Sequence, residues 1–219
     1  MSVNLSENLN KVLSSIPEEV KLVAVSKTKP IENIEVLYET GQRIFGENRV
    51  EELVEKHESL PKDIEWHMIG HLQSKKTKKI APFISLIHSI DSFKLLVEID
   101  KEAKKNERII SCLLQFHIAK EKAKYGFSET EGLEIIESEE FKKLENVSIA
   151  GVMGMATFTK DEEVVRKEFK TLKRISEKLL VISPDSKTVS MGMSGDYSIA
   201  IEEGSSMVRV GSTIFGSRN

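Results

Sequence analysis

The chain has 219 residues, 39% hydrophobic and 31% charged, with a formal net charge of −3 at pH 7. That is too apolar for a disordered chain, too charged for a membrane protein, and without the basic excess of a general nucleic-acid binder. No apolar run approaches the roughly 20 residues that cross a bilayer, and Met1–Asn8 lacks a secretory pattern, so a cytoplasmic protein is expected. The single cysteine, Cys112, sits in the apolar run Ile109–Leu114 and reads as a buried core thiol in a reducing compartment.

The first predicted element is a helix over Asn4–Ser15, with Leu5, Leu9, Val12 and Leu13 on one face. Short β-rich runs then alternate with longer segments of helical period. A strand at Lys21–Val25 precedes a helix at Ile31–Thr40, which stops at Gly41. Arg43–Phe45 precedes the Glu- and Lys-rich Arg49–His57. Glu65–Ile69 precedes the lysine cluster Lys75, Lys76, Lys78 and Lys79, which reads as a solvated helix face. Leu86–Ile90 leads to Ser92–Asn106, and Ile109–His117 leads to Ser128–Glu140, where Ser128 and Glu131 have capping-box spacing. Val147–Val152 precedes Lys160–Val181, whose Val164, Val165, Phe169, Leu172, Ile175 and Leu179 form one stripe. Thr188–Ser190, a short helix over Ser194–Glu203 and a last strand at Met207–Val210 complete the series.

Strands alternating with helices predict parallel βαβ units. Eight strands predict an α/β fold: a single (β/α)8 TIM-type barrel over residues 1–219, with an N-terminal helix and no second domain. Only about nine residues follow the last strand, too few for a closing helix, so Asn4–Ser15 is expected to cover that side. An open doubly wound sheet is the alternative.

Active sites of such barrels form at the C-terminal ends of the strands. Gly192, Ser194 and Gly195 follow the seventh strand, and Gly211, Ser212 and Thr213 follow the eighth, where this fold commonly binds phosphate. Ser194 and Gly195 would open a helix with outward N–H groups, Gly211 permits close backbone approach, and Ser212 adds a hydroxyl. The plainer reading of Ser194 is a helix cap. Lys27 shares a face with Val23 and Val25 and points into the barrel mouth if the strand continues, as a candidate Schiff-base amine; otherwise it ends in solvent. Lys29, before Pro30, is expected out in the loop. A Schiff-base lysine beside a phosphate site implies either a phosphorylated sugar or pyridoxal phosphate. Arg209 either donates to a pyridine nitrogen or pairs with a carboxylate inside the barrel. His67 and His71 span a strand end rather than a helix face, and no metal site is expected. His57, His88 and His117 have no partner visible in sequence. Met153, Met155, Met191 and Met193 read as core filler, with Met193 bordering the phosphate turn.

Several long motifs carry a resemblance: Leu22–Pro30, Phe45–Asn48, Trp66–Ser74, His88–Asp91, Ser190–Ser194, Val208–Gly211 and Ile214–Gly216. From about Val20 to its end, the chain resembles the pyridoxal-phosphate homeostasis proteins, the YggS/PROSC family. Members look like the barrel domain of alanine racemase without that enzyme's second domain. The resemblance implies that Lys27 is the Schiff-base lysine, that Ser194, Gly211 and Ser212 contact phosphate, that Arg209 faces the pyridine nitrogen, and that Asn48 lies near the cofactor. Met193 is added to the cofactor-binding set as the neighbour of that turn. Ser212 stands where threonine is common, keeping the hydroxyl, and Lys75 stands where asparagine is common. Lys124, in a Lys-x-Gly stretch, is either a second weaker site or a loop lysine, and the latter is favoured.

The resemblance implies a non-enzymatic pyridoxal 5′-phosphate (PLP) binding protein, involved in PLP homeostasis and in delivery to apo PLP-dependent enzymes. A monomer is expected, with neither nucleic acid nor membrane as partner. The alternative is a PLP-dependent amino-acid racemase, which needs a base on each side of the substrate α-carbon. Tyr38, Tyr125 and Tyr197 sit in no motif that supplies the second base. A phosphosugar aldolase ranks third, for want of an evident second lysine or carboxylate beside Lys27.

Overall fold

The structure is a computed structural model and describes residues 4–120 and 125–216. In chain order the elements are α1 (Leu5–Ser14), β1 (Lys21–Val25), α2 (Ile31–Glu39), β2 (Ile44–Glu47), α3 (Val50–Ser59), β3 (Glu65–Met68), α4 (Thr77–Ile80), β4 (Leu86–Ile90) and α5 (Phe93–Lys105). There follow β5 (Ile110–Gln115), α6 (Glu129–Glu137), β6 (Val147–Met153), α7 (Glu162–Ile182), β7 (Thr188–Ser190), α8 (Tyr197–Glu202), β8 (Met207–Val210) and α9 (Ser212–Phe215). Each strand is parallel to its sequence neighbour, and β1 pairs with β8, so the sheet closes into the expected barrel and the open-sheet alternative falls. The closing register sets Val23 against Arg209 and Ala24 against Val210.

The side-chain alternation of a strand sorts two cores. Leu22 and Ala24 of β1 join the large outer cluster under the helices, with Phe45, Trp66 and Val208. Val23 joins a small cluster with Leu86, Leu113, Met153 and Met207, which packs the barrel interior. The outer cluster takes the apolar stripe of α7 (Val165, Phe169, Leu172, Ile175 and Leu179), as its helical period requires. The capping box of α6 forms: Glu131 N donates to Ser128 Oγ and Ser128 N donates to Glu131 Oε2.

The short α9 is backed by α1, which packs against it and against α2. Leu5, Leu9 and Val12 are buried, and Asn8 Nδ2 donates to Ile214 O at 3.0 Å. Leu13 departs from the expected stripe and is 41% exposed. Other differences are local. β5 ends at Gln115 because the next residues leave the ladder to bridge Phe127, with His117 N donating to Phe127 O at 2.9 Å. Lys75–Lys79 lie on a 3-10 turn and the one-turn α4 rather than on a full helix, with Lys76 paired to Glu51 at 3.0 Å. Among the described residues no helix is long and apolar enough to cross a membrane.

If α1 is part of the barrel wall, Leu9→Ala lowers unfolding free energy by about 2–5 kcal/mol, whereas Leu13→Ala costs under about 0.5 kcal/mol. Urea denaturation of the two variants measures both.

Candidate functional site

A cavity of about 430 Å³ opens at the C-terminal ends of the strands. Lys27 and Asn48 line it from the ends of β1 and β2; Met193 and Ser194 line it after β7. Arg209, Gly211 and Ser212 complete the expected set from β8 and its turn. The sequence did not single out Thr157, Phe158 and Thr159, which form a lip after β6, nor Asp196. Met155 and Met193 line the cavity too, whereas Met153 and Met191 are core.

Lys27 is held between two anchored neighbours. Ser26 turns to the outer side of β1, where its hydroxyl donates to Glu47 Oε1 at 2.6 Å. Lys56, reaching in from α3, donates to Glu47 Oε1 at 2.7 Å, Glu52 Oε1 at 2.6 Å and Ser26 O at 2.8 Å. Thr28 N donates to Glu52 Oε1 at 2.5 Å. Thr28 has φ +62°, a left-handed conformation that side chains other than glycine adopt at a cost. The Glu52 bond compensates that cost and bends the chain directly after Lys27. Burial pushes the Glu47 carboxyl up to about 7, against the pull of Lys56 and Ser26, and its buried Oε2 has no hydrogen-bond partner.

The other wall is made of backbone amides. Ser194 is not the cap of the following helix, which starts at Tyr197. Its Oγ instead accepts from Gly211 N at 3.1 Å and Thr213 N at 3.4 Å, so the two turns meet around one oxygen. Gly192 permits this path: its φ is +94°, and a Cβ there would lie 2.6 Å from Ala200 Cβ. A Cβ on Gly211 would stand 3.1 Å from Val25 O, so glycine lets this turn close onto the end of β1. Asp196 Oδ1 accepts from Met193 N at 2.5 Å. Lys29 does not stay in the loop; its ammonium donates to Phe215 O and Gly216 O at 3.2 and 3.4 Å, tying the β1 loop to the end of α9.

Arg209 is 4% exposed. Among the described residues it has no carboxylate partner within salt-bridge distance, so the barrel-interior ion pair is ruled out. It donates to Ser190 Oγ at 2.6 Å, Ser190 O at 2.8 Å and Gly154 O at 3.1 Å. Burial pulls its pKa down to about 10, opposed by Asp196 at longer range, which leaves it charged at neutral pH. Behind Ser190, His88 and His67 continue the contact, a feature the sequence reading missed. The available sign was positional: His67, His88, Ser190 and Arg209 are each the third residue of their strand.

The remaining candidates lie elsewhere. His71 pairs with Asp91 at 2.9 Å and stacks on Tyr125. His57 stacks on Phe83, and His117 contacts Ala119 O. Cys112 is buried, and burial raises its thiol pKa. Among the described residues no three His, Cys, Asp or Glu side chains cluster to hold a metal. Lys124 lies outside the described residues.

The family model described as alanine racemase, N-terminal domain, matches residues 2–219. A pyridoxal phosphate homeostasis protein of Vibrio alginolyticus is 36% identical, over 99% of this chain and 98% of its own. The structure of PipY from Synechococcus elongatus with PLP bound superposes with a TM-score of 0.89 at 32% identity, covering 97% of this chain and 100% of PipY. An alanine racemase of Clostridium difficile superposes with a TM-score of 0.80 at 19% identity; 98% of this chain covers 56% of that one, a likeness of fold.

The Glu47 carboxyl yields a pH prediction. Between its ordinary 4.5 and about 7, the folded chain keeps a proton that the unfolded chain has released. Stability contributed at this site therefore falls as pH rises through that window. The thermal midpoint of the wild type minus that of Glu47→Gln should drop by about 5 °C between acidic and mildly alkaline pH. A difference that stays flat would contradict the raised pKa.

Proposed function

The chain belongs to the pyridoxal phosphate homeostasis proteins, within the alanine racemase N-terminal domain family, and from that premise we propose that it holds PLP as a Schiff base on Lys27. The observation that carries this reading is one cavity lined by the Lys27 amine, the buried Arg209 guanidinium and the Gly211 turn, whose amide, together with Thr213 N, already grips Ser194 Oγ. A phosphate oxygen would take the same N–H groups once the Ser194 hydroxyl turns aside from them, since both oxygens are acceptors of the same donors.

PLP supplies, when bound, an aldehyde that condenses with an amine and a phosphate monoester for anchorage. Lys27 provides the amine, kept at the mouth by the bonds that hold Ser26 and Thr28. Gly211 and Thr213 provide N–H donors, with the Ser194 and Ser212 hydroxyls beside them. Asn48 and Met193 border the ring between these two ends. Arg209 has donors only, so a ring nitrogen facing it stays unprotonated. An unprotonated ring is a poor electron sink, which suits holding and delivery better than turnover.

Racemisation finds no support in the lining. Tyr38 bonds Asp63, Tyr197 bonds Ser15, and Tyr125 stacks on His71; none of the three lines the cavity. The reading is therefore a carrier that serves PLP homeostasis, with apo PLP-dependent enzymes as recipients. One chain builds the whole cavity, so a monomer suffices. The reading also places the protein in the cytoplasm, where the free Cys112 thiol is at home.

Purified protein incubated with PLP should turn yellow. Borohydride reduction followed by peptide mass spectrometry should find a pyridoxyl group on Lys27 and none in Lys27→Ala. A colourless protein, or label concentrated on Lys29, would reject the assignment.

A further inference from the structure

Arg209 presents a physical problem: a nearly buried guanidinium whose hydrogen bonds go to neutral oxygens alone, with the Asp196 carboxylate acting on it only from beyond salt-bridge distance. Burying an unpaired charge is costly unless its donors are well satisfied. The residues behind it show how its orientation is set. A guanidinium has five N–H donors and no acceptor, so at the 2.6 Å contact Ser190 Oγ is the acceptor. The Ser190 proton must then point to another acceptor, and His88 Nδ1 lies 3.0 Å away. His88 accordingly carries its own proton on Nε2, which lies 3.0 Å from His67 Nδ1. His67 in turn carries its proton on Nε2. One donor that stays charged at neutral pH thus fixes the direction of three successive bonds.

The alternative charge states do not fit this geometry. A proton added to His67 Nδ1 would face the Nε2–H of His88, donor against donor. A proton added to His88 Nδ1 would leave Ser190 with two donors aimed at it and no acceptor for its own hydrogen. Burial disfavours the charged form of both rings; Lys21 adds to the effect at His67, and at His88 first His67 and then Arg209 add to it. The chain of contacts runs from β8 through β7 to β4 and β3, across the barrel interior. Eight-stranded barrels fill this space with layers of side chains; here one layer is polar.

We propose that His88 and His67 are positioning residues: a one-way relay of neutral rings that keeps Ser190 an acceptor for Arg209, so that the guanidinium meets the cavity aimed and unneutralised. A carboxylate in the place of Ser190 would hold the arginine as firmly but cancel the charge that a bound ring would feel. Two imidazoles supply the lone pair that the serine proton needs and add no net charge. The last step rests on the reading that the cavity takes PLP with its ring nitrogen toward Arg209.

The relay is tested first without PLP. Long-range proton–nitrogen correlation spectra of labelled protein at neutral pH should show His67 and His88 neutral, both protonated on Nε2, with Nδ1 as acceptor. An Nδ1–H tautomer or a doubly protonated ring at either position overturns the proposal, whether or not PLP binds. The second arm uses His88→Leu, which removes the acceptor, and His88→Asn, whose Oδ1 restores one near Ser190. In PLP-loaded protein the pH midpoint of the bound-PLP absorption band should shift by about one unit, tenfold in proton affinity, in His88→Leu and return toward wild type in His88→Asn. Wild-type midpoints in both variants overturn the positioning role. If the wild type binds no PLP, the functional reading fails on its own and the tautomers still decide the relay. If His88→Leu does not fold, the wild-type tautomers decide it alone.

Discussion

The parallel pairing of β1 with β8 is the constraint on which the site depends, because it joins the first strand of the barrel to the last. Its register sets Val23 beside Arg209, so the chain beyond Val25 runs out next to the turn at Gly211. Residues nearly two hundred positions apart in sequence thereby become neighbours. Lys27 on one side, and Ser194, Gly211 and Ser212 on the other, line one cavity only because the sheet closes. The absence of a side chain at Gly211 lets the two strand ends meet, with Val25 O 3.1 Å from where a Cβ would stand. The N-terminal α1 backs this seam, since the four-residue α9 is too short to do so.

Two buried polar systems flank the cavity and follow opposite electrostatic rules. Outside the sheet, Glu47, Glu52 and Lys56 form an ionic cluster that grips the backbone on either side of Lys27. Opposite charges there offset one another, and the orphaned Glu47 Oε2 is the residual cost. Inside the barrel, Arg209 keeps its charge, and its hydrogen bonds go to neutral oxygens, with Asp196 acting only at longer range. The first arrangement fixes where an amine sits. The second preserves a positive field where a ring would lie. Each uses the low dielectric of the interior, which makes a paired contact strong and an unpaired one expensive.

The barrel was legible in the sequence because strand alternation and helical stripes are local patterns. The runs at Lys21–Val25, Leu86–Ile90, Thr188–Ser190 and Met207–Val210 coincide with observed strands. The seven candidate cavity residues were legible from motif and strand-end position, and they share one wall-to-wall space. What escaped was long-range pairing. Ser194 looks like a helix cap because a helix follows within three residues; its actual bonds are to amides 17 and 19 residues on. Lys29 looks solvated after strand one, yet it binds carbonyls 186 and 187 residues away. His88 had no visible partner because Ser190 is 102 positions distant. Inward position on the strands would have singled out these polar residues, but not their bonding order.

The most direct measurement is a crystal structure of the protein soaked with PLP. Electron density should run continuously from Lys27 Nζ into the ring, with Arg209 facing the ring nitrogen and the phosphate within hydrogen-bond distance of the Gly211 and Thr213 amides. Density for the ligand outside this mouth, or a phosphate lodged away from those amides, would contradict the convergence of β1, β7 and β8 on a single molecule.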